Sequence, residues 1–141
     1  MSKKQSLIAE KVTENSSCKR SICPLACTLD QLGDKWTLLV IRDLFMEKKL
    51  YSEFQASPEK IPSNILAERL KRLQKDKIIH KKQYQQHPPR YQYELTQKGR
   101  DLWPVLKSIS QWGNQYIADT LDTRELIKNY ESRLQAENKS I

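Results

Sequence analysis

Apolar residues recur through the middle of the chain with the 3.6-residue period of amphipathic helices. Pro24 suits the first turn of a helix, because its missing N–H would have no partner there, so Cys23 is a candidate N-cap. The helix that follows is predicted to end near Gly33, and the apolar spacing predicts a second helix over 35–46. Two consecutive helices therefore follow the N-terminal segment.

Two further helices are predicted between positions 52 and 76. The segment 52–55 fits a capping box, in which Ser52 caps a short helix that ends before Pro58. Ser63 is the predicted N-cap of a longer helix that ends at about Asp76. The apolar seam of this longer helix consists of Leu66, Leu70 and Leu73. At about 100° per residue, its opposite face is polar and mostly cationic.

The spacing of apolar and aromatic residues changes to alternation after Ile79. Residues 82–86 and 91–95 are predicted to form two strands, because alternate side chains of the second segment suit a half-buried strand. Pro88 and Pro89 cannot donate hydrogen bonds to a neighbouring strand, so both are assigned to the turn. The sequence therefore predicts a small antiparallel hairpin.

The C-terminal third is predicted to be helical. Thr96 is the expected N-cap of a helix of about twenty residues, and Pro104 is expected to kink it. Apolar and aromatic residues at helical spacing form a stripe along this helix. A last amphipathic segment starts at about Thr123.

This order of elements predicts a mainly α fold with a small antiparallel β-hairpin wing, a winged helix-turn-helix. In that arrangement one helix protrudes far enough to enter the DNA major groove, while the preceding helix braces it. The short helix near Ser52 is the brace, and the helix over 63–76 protrudes. The predicted domains are a flexible or partner-ordered arm over 1–20, a DNA-binding and dimerisation domain over 21–120, and a helical extension over 121–141.

Positive charge is concentrated in the middle of the sequence. The chain has a net charge of +8, and residues 59–90 contain nine basic and three acidic side chains. From position 101 onward, five basic residues face six acidic ones. A basic segment that coincides with the protruding helix and the hairpin is typical of a surface that binds a polyanion. The charge distribution therefore favours DNA binding over an ordinary solvated lysine-rich face.

Short motifs in a fixed order resemble one known family. They are CPL at 23–25, LGDKWT at 32–37, YSEF at 51–54, IPS at 61–63, LAERL at 66–70 and PPRYQYELT at 88–96. Between positions 23 and 116, the chain resembles the HxlR-type winged helix-turn-helix regulators, a family related to the MarR group. The resemblance implies a homodimeric bacterial transcriptional regulator, and we expect a sequence-specific DNA-binding repressor.

The long C-terminal helix is the expected dimer surface. A two-fold dimer doubles the base contacts of a single reading helix and requires a pseudo-palindromic operator. The stripe is too aromatic to leave in water and is not needed for the DNA face. Packing within one chain is the alternative for the aromatic residues, and we expect it more for Trp103 than for the others. The predicted interface residues are Leu102, Leu106, Ile109, Trp112 and Tyr116.

The first half of the protruding helix contains the candidates for reading bases of double-stranded DNA. Asn64 can pair bidentately with adenine. Ser63 either contacts a base edge or caps its own helix, and the cap is the favoured role. Glu68 either accepts a hydrogen bond from cytosine or pairs with Lys71 or Arg72 along the helix, and we favour the ion pair.

The remaining DNA candidates are cations expected to contribute affinity more than sequence choice. On the protruding helix, phosphate contacts are predicted for Lys71, Arg72 and Lys75. At the wing, Arg90 suits insertion into a narrow, electronegative minor groove, with Lys82 beside it.

The three cysteines are Cys18, Cys23 and Cys27. Their odd number, in a chain without an export signal, argues against a structural disulfide framework, and their spacing disfavours a zinc site. The positive end of the helix dipole at Cys23 favours a thiolate that oxidants or electrophiles can attack. The family resemblance implies the same role, because a cysteine at this position is a sensor in some members. The alternative is a semi-buried thiol that only caps and packs.

Other classes of function have less support. The three glycines are isolated, and neither histidine has a nucleophile at a fixed spacing, so we expect no enzyme, no metal and no cofactor. The longest apolar stretch, 38–41, is too short to span a membrane, and the first residues lack the apolar region of a signal peptide, so we expect a cytoplasmic protein. Two alternatives stay open: a regulator controlled by a small apolar ligand between the core and dimer helices, and a winged-helix adaptor that does not bind DNA.

Overall fold

The computed structural model of the chain describes Cys18 and residues 20–139. They fall into two compact units, one ending at Leu38 and the other beginning at Leu39. The arm predicted over 1–20 lies outside the described residues, apart from Cys18 and Arg20. The predicted domain boundaries near 20 and 120 stay predictions.

The first unit contains helix α1 (Pro24–Leu32) and the start of α2 (Thr37–Phe45). Cys23 is the N-cap of α1, as predicted, and the backbone N–H of Gly33 closes the helix by donating to the Leu29 carbonyl at 2.7 Å. Asp34 Oδ1 accepts from the N–H of Thr37 at 3.0 Å, and thereby caps α2. The predicted pair of consecutive helices is present, and its second helix begins two residues later than expected.

A disulfide bond joins Cys18 to Cys27, and the two Cα atoms are 5.0 Å apart. The expectation that the chain contains no structural disulfide is therefore wrong for this pair. Cys18 precedes α1, so its side chain can approach Cys27 from outside the helix. Two cysteines within one helix are poorly placed for a disulfide bond. Arg20 pairs with Asp30 at 2.5 Å and so joins the same segment to α1 a second time.

The second unit contains the rest of α2, five further helices and one two-stranded sheet in the described part of the chain. The elements are α3 (Tyr51–Gln55), α4 (Ser63–Lys75), β1 (Ile79–Gln85), β2 (Arg90–Leu95), α5 (Gln97–Arg100), α6 (Trp103–Tyr116) and α7 (Arg124–Lys139). This mainly helical architecture with one antiparallel hairpin confirms the predicted fold class.

The hairpin is longer than predicted, because β1 begins three residues earlier. Ile79 faces Leu95 in the antiparallel register, and both side chains are buried. The pairing continues to Arg90 opposite Gln85, with an irregularity just before the turn. The backbone N–H of Tyr93 also donates to the Lys49 carbonyl at 2.9 Å, so the segment before α3 extends the hydrogen bonding of β2.

The N-caps predicted for α3 and α4 are wrong. Helix α3 begins one residue before Ser52, with Leu50 as N-cap, and the Glu53 carboxylate accepts from the Leu50 N–H at 3.1 Å. In α4, Pro62 holds the N-cap position, and Ser63 is the first helical residue. The extended backbone of Pro62 permits this, because the preferred dihedral angles of proline suit the entry to a helix.

The helix predicted after Thr96 is divided in two. Thr96 is the N-cap of α5, as predicted, because its Oγ1 accepts from the Gly99 N–H at 3.2 Å. Pro104 does not kink a continuous helix but lies in the first turn of α6, where the missing N–H costs nothing. A Cβ on Gly99 would come within 2.3 Å of the carbonyl oxygen of Ile78, the residue just before β1, so this close contact with α5 requires glycine.

The core of the second unit is centred on the apolar seam of α4. Leu66, Leu70 and Leu73 are buried, as predicted, together with Phe54 of α3 and Ile41 of α2. These contacts fix α4 against its neighbours along one side only. The other side of the helix is therefore directed to solvent.

Truncation of the seam should destabilise the second unit. We expect Leu70→Ala to lower the free energy of unfolding by about 2–5 kcal/mol, because it leaves a cavity at a position that is 2% exposed. Leu121→Ala is the matched control, since Leu121 is 83% exposed, and should change it by less than about 0.5 kcal/mol. Urea denaturation measures both values, and equal losses would contradict the assignment of the core.

Candidate nucleic-acid interface

The outer face of α4 presents most of the residues predicted to contact DNA. The exposed residues of this face are Ser63, Asn64, Glu68, Lys71 and Lys75. Arg72 is half-buried at the edge of the face. This placement follows from the buried seam, because these positions point away from it. The roles assigned to the individual residues stay predictions.

Glu68 lies in ion pairs along α4. Its carboxylate contacts the guanidinium of Arg69, and its Oε1 is 3.9 Å from Arg72 Nη1. The ion pair favoured for Glu68 is therefore present, with Arg72 rather than Lys71 as its partner, and the contact with Arg69 is additional. Among the described residues, Lys71 and Lys75 have no carboxylate oxygen within 4.0 Å, so no ion pair with a described side chain neutralises their charges.

The N-terminal end of α4 is linked to α3 by a contact that the sequence analysis missed. The Tyr51 hydroxyl donates to the Ser63 carbonyl at 2.7 Å and lies 2.8 Å from Ser63 Oγ. The brace helix thus holds the first residue of the protruding helix through one phenol. Sequence periodicity gives no signal for such a contact, because it depends on a hydroxyl at the end of an otherwise apolar ring.

A buried carboxylate connects α2 to the loop between α3 and α4. Asp43 is 3% exposed, and its Oδ2 accepts a 2.5 Å hydrogen bond from Ser57 Oγ. Lys48 Nζ donates to the same Ser57 oxygen at 2.7 Å and lies 3.7 Å from Asp43 Oδ1. Arg42 Nη2 donates to Asp43 Oδ1 at 2.8 Å. The buried charge is therefore well partnered, as burial requires.

Arg42 extends this network to the loop that leads into α4. Its guanidinium binds both carboxylate oxygens of Glu59, at 2.7 and 3.0 Å. The hydrogen bonds from Arg42 lower the pKa of Glu59, and the hydrogen bonds to Glu59 raise the pKa of Arg42. The sequence analysis did not identify this pair, which joins residues seventeen positions apart.

The wing exposes the two cations predicted for it. Lys82 lies in the middle of β1, and Arg90 begins β2 directly after the turn. Lys81 Nζ lies 4.5 Å from the centre of the Tyr91 ring, a cation–π contact across the hairpin. Charge is therefore present along the wing as well as on α4.

Cys23 is exposed and is the free thiol among the three cysteines. Its backbone N–H donates to Ser21 Oγ at 3.0 Å, and its side chain forms no capping hydrogen bond to α1. The thiol is thus accessible at the N-terminus of a helix. Its predicted role as a sensor is untested.

Helix α6 carries an exposed aromatic stripe. Ile109, Trp112 and Tyr116 are 53%, 60% and 65% exposed, and the rings of the last two lie 5.3 Å apart. Leu102 is half-buried, and Leu106 is buried within the chain itself. The predicted dimer interface therefore rests mainly on the three exposed residues.

No group of His, Cys, Asp and Glu in the described part of the chain could hold a metal ion. None of the helices among those residues is both long and apolar enough to cross a membrane.

The geometry of the site agrees with a family match over most of the same residues. A model of the HxlR-like helix-turn-helix family matches residues 31–121, a range that includes the brace, α4, the wing and α6. The chain belongs to the HxlR-like helix-turn-helix family. As an HxlR-like protein, it is a transcriptional regulator with a winged helix-turn-helix fold.

Relatives of this HxlR-like chain support the assignment. It is 36% identical over 112 residues to the uncharacterised HTH-type transcriptional regulator YdeP of Bacillus subtilis, a match that covers 79% of this chain and 87% of YdeP. The redox regulator HypR in its oxidised form has a TM-score of 0.62 at 33% identity, over 71% of this chain and 99% of HypR. The reduced form of the transcriptional regulator YodB from B. subtilis has a TM-score of 0.58 at 29% identity, over 70% and 98%.

The ion pair between Arg42 and Glu59 should make stability depend on pH. The pKa of Glu59 is lower in the folded chain than its ordinary value of 4.5, so the pair stabilises the fold above that value and loses its effect as pH falls through the folded pKa. We expect the free energy of unfolding of Glu59→Gln to fall less than that of the unmodified chain between about pH 6 and about pH 3. Urea denaturation across this range measures the difference.

The control for this experiment is Glu125→Gln, which removes an exposed carboxylate at the start of α7. It should leave the slope of stability against pH unchanged. The same slope for Glu59→Gln and the unmodified chain would contradict the stabilising role of the pair.

Proposed function

We propose that this HxlR-like regulator binds a pseudo-palindromic operator as a homodimer and represses transcription. The observation that carries the proposal is the orientation of α4, whose leucine seam is buried while its opposite face exposes Asn64, Lys71 and Lys75. A protruding helix with a solvated cationic face suits the major groove, where the phosphates on either side attract its charges. A dimer bound across a promoter would block access to it.

Contacts to bases are assigned to the N-terminal half of α4. The Asn64 amide can donate to and accept from an adenine edge at the same time, and Ser63 lies beside it. The Tyr51 hydroxyl supports this assignment, because it holds the Ser63 backbone and side chain. Glu68 is assigned to orienting the Arg72 guanidinium rather than to reading a base.

Contacts to phosphates are assigned to Lys71, Arg72 and Lys75 on α4, and to Lys82 on the wing. Arg90 is placed in the minor groove, because it is exposed directly after the turn of the hairpin. Such contacts give affinity that falls as salt concentration rises, because each one releases counterions from the DNA.

The exposed stripe of α6 supports the homodimer. Ile109, Trp112 and Tyr116 form a contiguous apolar surface that a monomer would leave in water. A second copy related by a two-fold axis would cover this surface with its own stripe. It would also present a second α4 to the next half-site of the operator.

Substitutions on α4 should separate base reading from phosphate binding. We expect Asn64→Ala to weaken binding to the operator by about 1–3 kcal/mol and to leave binding to random DNA almost unchanged. Lys75→Ala should weaken binding to both DNAs and lower the slope of log affinity against log salt concentration by about one. Fluorescence anisotropy with a fragment from upstream of the chain's own gene, at several salt concentrations, measures both.

Equal losses on the two DNAs for Asn64→Ala would remove it as a base-reading residue. A correctly folded dimer with no salt-dependent affinity for any duplex would contradict the regulator mechanism. That result would favour a winged-helix adaptor that binds another protein.

We further propose that Cys23 senses oxidants or electrophiles. Its thiol is exposed and free, whereas Cys18 and Cys27 are joined to each other. The similarity to the redox regulator HypR supports this proposal. A peroxide would oxidise the Cys23 thiolate to a sulfenic acid, with the peroxide reduced to water or an alcohol.

Hydrogen peroxide should release the unmodified regulator from its operator, and Cys23→Ser should stay bound at the same peroxide concentration. The reason is that serine in this position cannot be oxidised to a sulfenic acid. The control is the double variant Cys18→Ser/Cys27→Ser, which should still respond. Release of Cys23→Ser at the concentration that releases the unmodified protein would end the proposal, and loss of the response only in the double variant would assign sensing to the disulfide pair.

A further inference from the structure

A cavity of about 330 Å³ lies between the end of α2 and the helices α6 and α7. Its lining is formed mainly by large apolar and aromatic side chains: Phe45, Trp103, Leu106, Leu126, Ile127 and Tyr130. Met46 and Leu126 are about half exposed at its edge, so the cavity opens to solvent. Its volume is in the range of sites that hold small organic molecules.

Three aromatic rings make one wall of this cavity rigid. The Phe45 ring meets the Tyr130 ring edge-on, with centroids 5.0 Å apart, and the Trp103 and Tyr130 centroids are 4.1 Å apart. Trp103 Nε1 donates to Glu131 Oε1 at 3.3 Å, which fixes the indole further. A preformed apolar wall lowers the entropy lost when a flat molecule binds against it.

The charged residues in the lining are all cations. They are Arg42, Lys107 and Arg133, and no carboxylate is among the lining residues. Lys107 pairs with Glu131 at 2.5 Å and Arg133 pairs with Glu47 at 2.7 Å, so the acidic partners lie outside the cavity. An ammonium has three N–H donors and a guanidinium has five, so one carboxylate partner does not saturate either group.

Neutral polar groups complete the lining. Burial raises the pKa of Tyr130 to about 12, so its phenol keeps its proton at neutral pH. Ser110 and Asn129 add a hydroxyl and an amide. The cavity therefore combines apolar walls with hydrogen-bond donors and positive charge.

The cavity lies away from the exposed aromatic stripe of α6, and Leu106, which was predicted for the dimer interface, lines the cavity instead. On α6, the lining positions 103, 106, 107 and 110 point roughly 140° away from the exposed stripe at 109, 112 and 116, given about 100° per residue. Helix α7, which supplies five of the thirteen lining residues, lies beyond the residues 31–121 that match the family. The site thus depends on α7 as well as on elements within the matched range.

We propose that the cavity between α2, α6 and α7 is a binding site for a small apolar anion, such as an aromatic carboxylate. The rings take the apolar body of the ligand, and Arg133 takes its charged group. The proposal deepens the proposed function by naming an effector class, but the site itself does not depend on DNA binding.

Calorimetric titration of the full-length chain with 2-naphthoate, in the absence of DNA, tests the site. We expect one ligand per chain with a dissociation constant below about 1 mM, and an affinity at least about tenfold lower for the uncharged 2-naphthalenemethanol. Absence of binding by 2-naphthoate would overturn the proposal. Equal affinity for the two compounds would overturn the assignment of an anion. Because no DNA is present, failure to bind 2-naphthoate would leave the proposed operator binding standing. Failure to bind an operator would likewise leave the proposed ligand site standing.

Two matched pairs of variants locate the binding. Ile127→Trp fills the cavity and should abolish binding, whereas Ile117→Trp makes the same change at an exposed position and should not. Arg133→Gln should weaken binding of 2-naphthoate several-fold, whereas Lys128→Gln, a cation of α7 outside the lining, should leave it unchanged. If circular dichroism shows that Ile127→Trp does not fold, the second pair decides. Unchanged binding by Arg133→Gln and by folded Ile127→Trp would place the ligand elsewhere and overturn the proposal.

Discussion

Burial of the leucine seam on α4 is the constraint on which the rest of the structure depends. Each of Leu66, Leu70 and Leu73 is at most 2% exposed, and full burial of such a side chain is worth about 1.5–3 kcal/mol. Rotation of the helix by one position would move these side chains into water and bring lysines toward the core. The exposure of the cationic face is therefore a consequence of apolar burial, and electrostatic attraction to DNA is not needed to hold it outward.

The seam sets the rotation of α4, and polar contacts set its position relative to the brace. Asp43 is buried with Ser57, Lys48 and Arg42 as partners, and removal of one partner would leave a desolvated charge. The Tyr51 hydroxyl adds a directional link to the first residue of α4. Hydrogen bonds of this kind fix distance and angle more narrowly than apolar contacts do. Together with the leucine seam, these contacts hold α4 in one defined orientation.

The features predictable from sequence were those that depend on local pattern. The seam of α4, the Thr96 cap and the hairpin follow from periodicity and capping chemistry, and the structure confirms them. The caps at Ser52 and Ser63 were wrong because proline and leucine can occupy an N-cap when other groups satisfy the free N–H groups. The Asp43 network and the pairing of Cys18 with Cys27 could not be predicted, because both join residues whose proximity depends on the folded path of the chain.

Helix α6 connects the proposed dimer surface to the cavity beside α7. One side bears Trp112 and Tyr116, which are exposed, and the other side bears Trp103, which packs on Phe45 of α2 and Tyr130 of α7. A helix is stiff along its length, so a displacement on one side is transmitted to the other. The distance between the two α4 helices of a dimer must match the spacing of half-sites on DNA. In the proposed dimer, a small movement of α6 produced by a ligand in the proposed cavity site would therefore change operator affinity without any contact between the ligand and the α4 helices.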